Sequence, residues 1–198
     1  MPRQVFEYDP PERFVAGTVG EPGSRAFFLQ ARSGTRVTSV ALEKAQVSAL
    51  AERIEELLDE VVRRSAGTAA VPALRPDDLD DRAPLESPIL EEFRVGTMAL
   101  AWDPDSEQLV IEAQAVSADE GADEGADEGA DEGADEGADE EDDSGPDLLR
   151  VRLPGPVARA FAQRALAVVS AGRPACPFCS LPLDAQGHIC PRMNGYRR

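Results

Sequence analysis

Cysteine and histidine are scarce in this 198-residue sequence, and the few present are concentrated. Cys176, Cys179, Cys190 and the only histidine, His188, all fall within the last 23 residues. An odd, clustered set of thiols excludes a disulfide framework spread along the chain. No apolar run approaches the ~18 residues of a membrane span. The start, Met1-Pro-Arg-Gln-Val-Phe-Glu-Tyr8, has no apolar h-region, which predicts a cytosolic, cytoplasmic protein with no membrane partner. The usual catalytic signatures are missing too. There is no G-x-S-x-G nucleophile elbow. Gly17-Thr-Val-Gly20-Glu-Pro-Gly23 has a phosphate loop's glycines but not its Lys-Ser/Thr, and reads as a hairpin turn.

Basic residues are absent from one long stretch. Asp119 to Asp147 holds 16 acidic residues and no cation, and accounts for most of the net charge of -18. The rest is nearly neutral but divided. Residues 1–118 carry a net charge of -9 and residues 148–198 a net charge of +7. About 165 residues remain outside the tract, enough for a sizeable core.

What is present has a clear order. Arg13-Phe-Val-Ala-Gly-Thr-Val19, Arg25–Arg32 and Arg36–Leu42 are β-branched, aromatic or alternating, and read as three strands. Val47, Leu50, Ile54, Leu57, Leu58 and Val61 then recur at helical spacing across 43–64. Residues 66–90, rich in Pro, Ala and Asp, read as a connector packed loosely over the domain. Glu92–Trp102, Gln108–Val116 and Leu148–Leu153 are three more strands. Pro154-Gly-Pro opens a second helix with Val157, Phe161, Ala165, Val168 and Val169 on its apolar face, ending at Gly172.

The order is βββα, connector, βββα. F-x-x-G-T opens each half, at Phe14 and at Phe93, and V-x-L closes each third strand, at Val40 and Val151. The expected fold is α+β: duplicated βββα units forming an antiparallel sheet with two covering helices, plus a small C-terminal zinc knuckle. The duplicated domain spans 1–172, with halves 1–65 and 91–172. The tail spans 173–198.

The acidic insert, 117–147, contains five Gly-Ala-Asp-Glu copies from Gly121 to Glu140. Gly every fourth residue opposes helix, like charges repel, and nothing larger than Ala is available to bury, so disorder is expected. The favoured reading is a solvated loop expanded by repeat slippage. The alternative is an electrostatic lure for basic partners or a weak divalent-ion sponge.

The strongest signal is C-x2-C-x8-H-x-C, formed by Cys176, Cys179, His188 and Cys190. A C-x2-C turn brings two thiolates to one ion. His188 and Cys190, two apart, share a face if extended. Four protein ligands of this kind suit a closed, structural Zn2+ site. Unligated thiols and a redox C-x2-C remain alternatives. Arg173, Arg192, Arg197 and Arg198, with Asn194 and Tyr196, surround the site. They could contact phosphate, or simply dock a cationic tail on the acidic domain.

Carboxylates gather at Glu7, Asp9 and Glu12, and again at Glu86, Glu91, Glu92 and Asp103, where an acid-base pair could form. With His188 assigned to zinc, no histidine remains as a base. Phe27, Phe28 and Trp102 read as core or sheet-face residues.

Several segments resemble an actinobacterial family, that of domain-of-unknown-function 3090. The likeness rests on Arg13-Phe-Val-Ala-Gly-Thr-Val-Gly20, Phe28-Leu-Gln-Ala31, Leu42-Glu-Lys-Ala-Gln46, Pro84-Leu-Glu86, Glu91-Glu-Phe-Arg-Val-Gly-Thr97 and Cys176-Pro-Phe-Cys179 through Arg192. It implies a cytosolic actinobacterial protein and brings no activity, cofactor or catalytic residue. The favoured function is a non-enzymatic interaction or regulatory module with a protein partner. Single-stranded nucleic-acid binding through the sheet and tail, and an enzyme with carboxylates between the halves, stay open.

Overall fold

The computed structural model describes residues 3–21, 23–117 and 145–172, together with Cys176, Phe178, Cys179, Cys190 and Arg192. The acidic repeats, at 118–144, lie outside the described residues. Seven strands form one sheet: β1 (Val5–Tyr8), β2 (Arg13–Val19), β3 (Ala26–Ser33), β4 (Arg36–Leu42), β5 (Glu91–Asp103), β6 (Gln108–Ala115) and β7 (Leu148–Pro154). The helices are α1 (Lys44–Arg64) and α2 (Gly155–Ser170). Strand order is β1-β7-β6-β5-β4-β3-β2.

The sheet is mixed rather than antiparallel, which corrects the expectation. β4 runs parallel to β5, and β1 parallel to β7. The first pairing follows from α1. A helix between adjacent strands returns the chain to the end it left, so the next strand enters parallel. The two three-stranded sets therefore lie side by side and point the same way. β1 was not anticipated: four residues with one buried position give no periodicity to read.

One sheet face carries the core. Phe14, Ala16, Phe27, Leu29, Val40 and Leu42 pack there with Leu109, Ile111, Val151 and Leu153. Val47, Leu50, Ala51, Ile54 and Leu58 seat α1 on that face, and Ala158, Phe161, Ala162 and Ala165 seat α2. Phe14 stacks on Phe161, with ring centroids 4.6 Å apart. Arg159 of α2 is only 2 % exposed. It bonds Glu55, Asp59 at 2.8 Å and the Pro72 carbonyl at 3.2 Å, tying α2 to α1 and the connector. Phe27 is core as expected, and Trp102 is partly buried at the margin of the same core cluster.

The opposite face differs between the halves. Over β2–β4, Val15, Phe28 and Ala41 are covered by Leu85 and Ile89 of the connector. Gly17 makes this possible: a Cβ there would lie 2.5 Å from Leu85 Cγ. The connector is thus fastened, not loosely laid. The buried Gln30 side chain accepts from the Glu86 amide at 2.7 Å and donates to the Glu86 carbonyl at 3.0 Å. A segment rich in Pro and Asp shows no periodicity, so this anchoring could not be read from its own residues. Over β5–β7 the face carries cross-strand ion pairs instead, such as Arg150 with Glu112 at 2.7 Å.

Candidate metal centre

α2 ends at Ser170, and the cysteine segment begins six residues later. The sulfurs of Cys176, Cys179 and Cys190 all lie within 4.8 Å of one another. Cys176 and Cys190, both buried, are 3.8 Å apart. That is too long for a disulfide bond of ~2.05 Å. It equals the ~3.8 Å edge of a tetrahedron built on ~2.3 Å zinc–sulfur bonds. The donor set and its spacing therefore fit a thiophilic metal ion.

The Cys176 thiol is electronically prepared for a cation. Burial pushes its pKa up, but the backbone N–H groups of Phe178 and Cys179, with the Cys179 and Cys190 thiols, outweigh this and hold it below the ordinary cysteine value. Such N–H groups point into the C-x2-C turn and favour thiolate. Arg192 donates to the Phe178 carbonyl at 3.0 Å, so its guanidinium clasps the same turn. Phe178 itself is 53 % exposed. His188, Arg173, Arg197 and Arg198 lie outside the described residues, as do Asn194 and Tyr196.

The carboxylates singled out as possible acid-base groups do not pair with one another. Arginines stand between them. Arg150 holds Glu112 and lies 4.0 Å from Glu7. Arg152 lies 3.8 Å from Asp9 and 3.5 Å from Asp103. Arg32 holds Glu12 at 2.7 Å and sits 2.7 Å from Glu86 as an ion pair without hydrogen-bond alignment. Asp103 also caps its own turn. Bonds from Ser106 and from the Asp105 amide hold its carboxyl below the usual value. Glu91 and Glu92 are exposed at the start of β5.

Sequence reasoning missed one polar cluster. Arg13 and Arg164 converge on Asp81, at 2.6 and 3.2 Å, beside a 220 Å³ cavity between β2, α2 and the connector. Arg13 also donates to the Ala83 and Pro84 carbonyls, and Arg164 to those of Ala16 and Ala83. These donors are consumed holding the connector, so the cluster is a clasp. Asp81 sits in an acidic run with no spacing to mark it.

The assembled features define a class: a single-sheet α+β protein, two helices on one face, with a compact three-cysteine cluster after its last helix. The chain belongs to the family described as protein of unknown function (DUF3090), whose model matches residues 6–190. No curated protein and no solved structure matches the chain. Among the described residues, no helix is long and apolar enough to cross a membrane.

Proposed function

We propose that this chain is a non-catalytic interaction or regulatory module whose C-terminal segment is built on a structural zinc ion. Cys176, Cys179, Cys190 and His188 would be its four ligands. The observation that carries this reading is the convergence of three sulfurs within 4.8 Å of one another, with Cys176 and Cys190 at the ~3.8 Å edge of a zinc–sulfur tetrahedron. Four protein ligands leave no position for substrate, so the ion would order the tail rather than act chemically. The half-exposed Phe178 ring, set in the C-x2-C turn beside Arg192, suits a protein partner. The carboxylate-based enzyme reading finds less support, because arginines separate the acids it would need. Nucleic acid would also have to displace acids from Arg150 and Arg152 on the open sheet face.

Duplication of a βββα unit belongs to the same proposal. Phe14 and Phe93 both enter the core near the start of the first strand of their set. Val40 and Leu42, like Val151 and Leu153, are buried on the helix side immediately before a helix. Matching motifs at matching places favour common descent over chance. Because β4 is parallel to β5, the relation would be a shift along the sheet, not a two-fold axis.

The test is metal content by mass spectrometry on the untagged full chain, beside Cys179→Ser. The expected result is one zinc per chain, lost in the variant, with the circular dichroism of the sheet and helices unchanged. Metal-free protein with three reactive thiols would sink the zinc reading and move weight to redox chemistry.

A further inference from the structure

Where the two three-stranded sets meet, Arg25 and Lys44 converge beside Arg94, Glu43 and Glu91. From the point a Cβ on Gly172 would occupy, Arg25 Nη2 is 3.8 Å away and Lys44 Nζ 3.9 Å away. The two charges are therefore less than about 8 Å apart, within the range where like charges repel appreciably. Neither has an ion pair or a hydrogen bond among the described residues. Arg25 touches only the Phe27 ring, 5.8 Å from its centroid. Arg94, which lines the same place, behaves otherwise and holds Glu43 at 2.8 Å. Glu91, also nearby, pairs with neither cation. The described residues include 22 acidic ones, and none of them answers these two adjacent cations.

The C-terminal turn of α2 lies beside them, and a helix C-terminus favours cations. Neither side chain donates to an α2 carbonyl, however, and among the described residues their donors have no acceptor. They face two adjoining cavities, of 520 and 390 Å³, which share Arg25, Phe27 and Lys44. These volumes fall within the ~300–1,000 Å³ usual for small-ligand sites. Phe27 and Val169 give the larger one an apolar wall. The hairpin turn between β2 and β3, read from sequence as no more than a turn, supplies Gly23 to its rim.

We propose that this cavity binds a small phosphomonoester. The phosphate would sit between Arg25 and Lys44, with the organic part against Phe27 and Val169. A dianion neutralises both charges, whereas one carboxylate would leave a cation unpaired. Guanidinium and ammonium are the side chains that recognise phosphate, the first as a fork and the second as a point charge. The proposal stands on these residues alone and is independent of the zinc ion.

Lys44 is the chain's only lysine, which gives a clean readout. Its acetylation by an activated acetyl ester can be followed by peptide mass spectrometry on the full chain. Probes would be inorganic phosphate and glycerol phosphate, against chloride at matched ionic strength. At ten times Kd, acetylation should slow about tenfold. Glycerol phosphate should protect at lower concentration than inorganic phosphate. Arg25→Gln should abolish protection, read as the ratio of that variant's own rates with and without phosphate, while leaving the thermal unfolding unchanged; its unprotected rate should fall somewhat, because Lys44 loses a repelling neighbour. Equal rates in phosphate and chloride would overturn the proposal, and so would protection that survives Arg25→Gln. Equal protection by the two phosphates would remove the organic part from the site. Protection by single-stranded DNA at lower concentration than either would reassign the site to nucleic acid.

Discussion

Tyr8 donates its hydroxyl hydrogen to Thr38 Oγ1 at 2.8 Å, joining the strand at one end of the sheet order to β4, the third strand from the other end. Both residues are buried. Arg36 completes the arrangement, stacking 4.3 Å from the Tyr8 ring centroid and donating to its oxygen at 3.2 Å. The sheet is therefore curled enough for β1 to reach β4 across the core. Tyr8→Phe leaves the Thr38 hydroxyl without its donor and Arg36 Nε without its acceptor, while Arg36 Nη2 keeps the Glu7 carbonyl. Such a change costs about 1–3 kcal/mol. Adding Thr38→Val should recover part of the loss, because two apolar groups no longer strand a polar one. Urea midpoints of the three variants would decide it. A double variant no better than Tyr8→Phe would show that the hydrogen bond does not couple the strands.

Gly17 and Leu85 are matched in shape. A methyl group at Gly17 would collide with Leu85 Cγ and Cδ2, at 2.5 and 2.6 Å. Gly17→Ala should destabilise the fold by about 1–3 kcal/mol through overpacking. Leu85→Ala alone should also destabilise, by leaving a void over Val15 and Phe28. Combined, the two should cost clearly less than their sum, since each relieves the other's fault. Strict additivity in a double-mutant cycle would mean the connector lifts away rather than packing against β2.

Arg159 tests whether the helix pair depends on charge. Its guanidinium is buried, while Asp59 is 66 % exposed at its carboxylate and Glu55 is 25 % exposed. Arg159→Ala removes the cation, the packing of its stem and the bond to Pro72. A loss of about 3 kcal/mol is expected, at the low end for broken buried pairs, because the Asp59 side chain is largely exposed whereas one Glu55 oxygen is buried with no hydrogen-bond partner among the described residues. Arg159→Met, which keeps most of the volume, should lose less. Thermal unfolding would show whether the two differ. Equal losses would assign the role to charge rather than packing.

The parts of the fold that could be read in the sequence were those with strong periodicity. β2 and β4 fall at the expected residues, because Phe14/Ala16 and Val40/Leu42 alternate with residues of the other face. The α1 stripe from Val47 to Leu58 likewise maps to its buried face. What escaped was set by contacts distant in sequence. β1 is four residues long and defined only by its pairing with β7. The connector's anchorage comes from Gln30, Arg13 and Arg164, none of which announces a partner some fifty to eighty residues away. The cysteine cluster was legible because C-x2-C brings two thiols together locally. The Arg25–Lys44 pair was not, because a turn and a helix start meet there only after folding.

Asp81 makes the clasp between β2, α2 and the connector sensitive to acid. Its carboxyl accepts from Arg13 at 2.6 Å, from Arg164 at 3.2 Å and from the Ala83 amide at 2.8 Å. The Arg13 bond is the main reason its pKa lies below the ordinary carboxylate value, and it outweighs the opposing effect of burial. A folded-state pKa below the unfolded one means the unfolded chain binds more protons as pH falls. Stability from this group is therefore fully present above the unfolded pKa of ~3.9 and is lost as pH drops through the lower folded value. Asp81→Asn should be less stable at pH 7 and should show a shallower loss of stability at acid pH. The slope should not vanish. Asp80, lowered chiefly by its bond from Arg82, and Asp103, lowered chiefly by Ser106, titrate in the same direction. Urea unfolding at neutral and acid pH would compare the two slopes. Parallel curves for wild type and Asp81→Asn would mean that the clasp holds through the Ala83 and Pro84 carbonyls, with the Asp81 charge adding nothing.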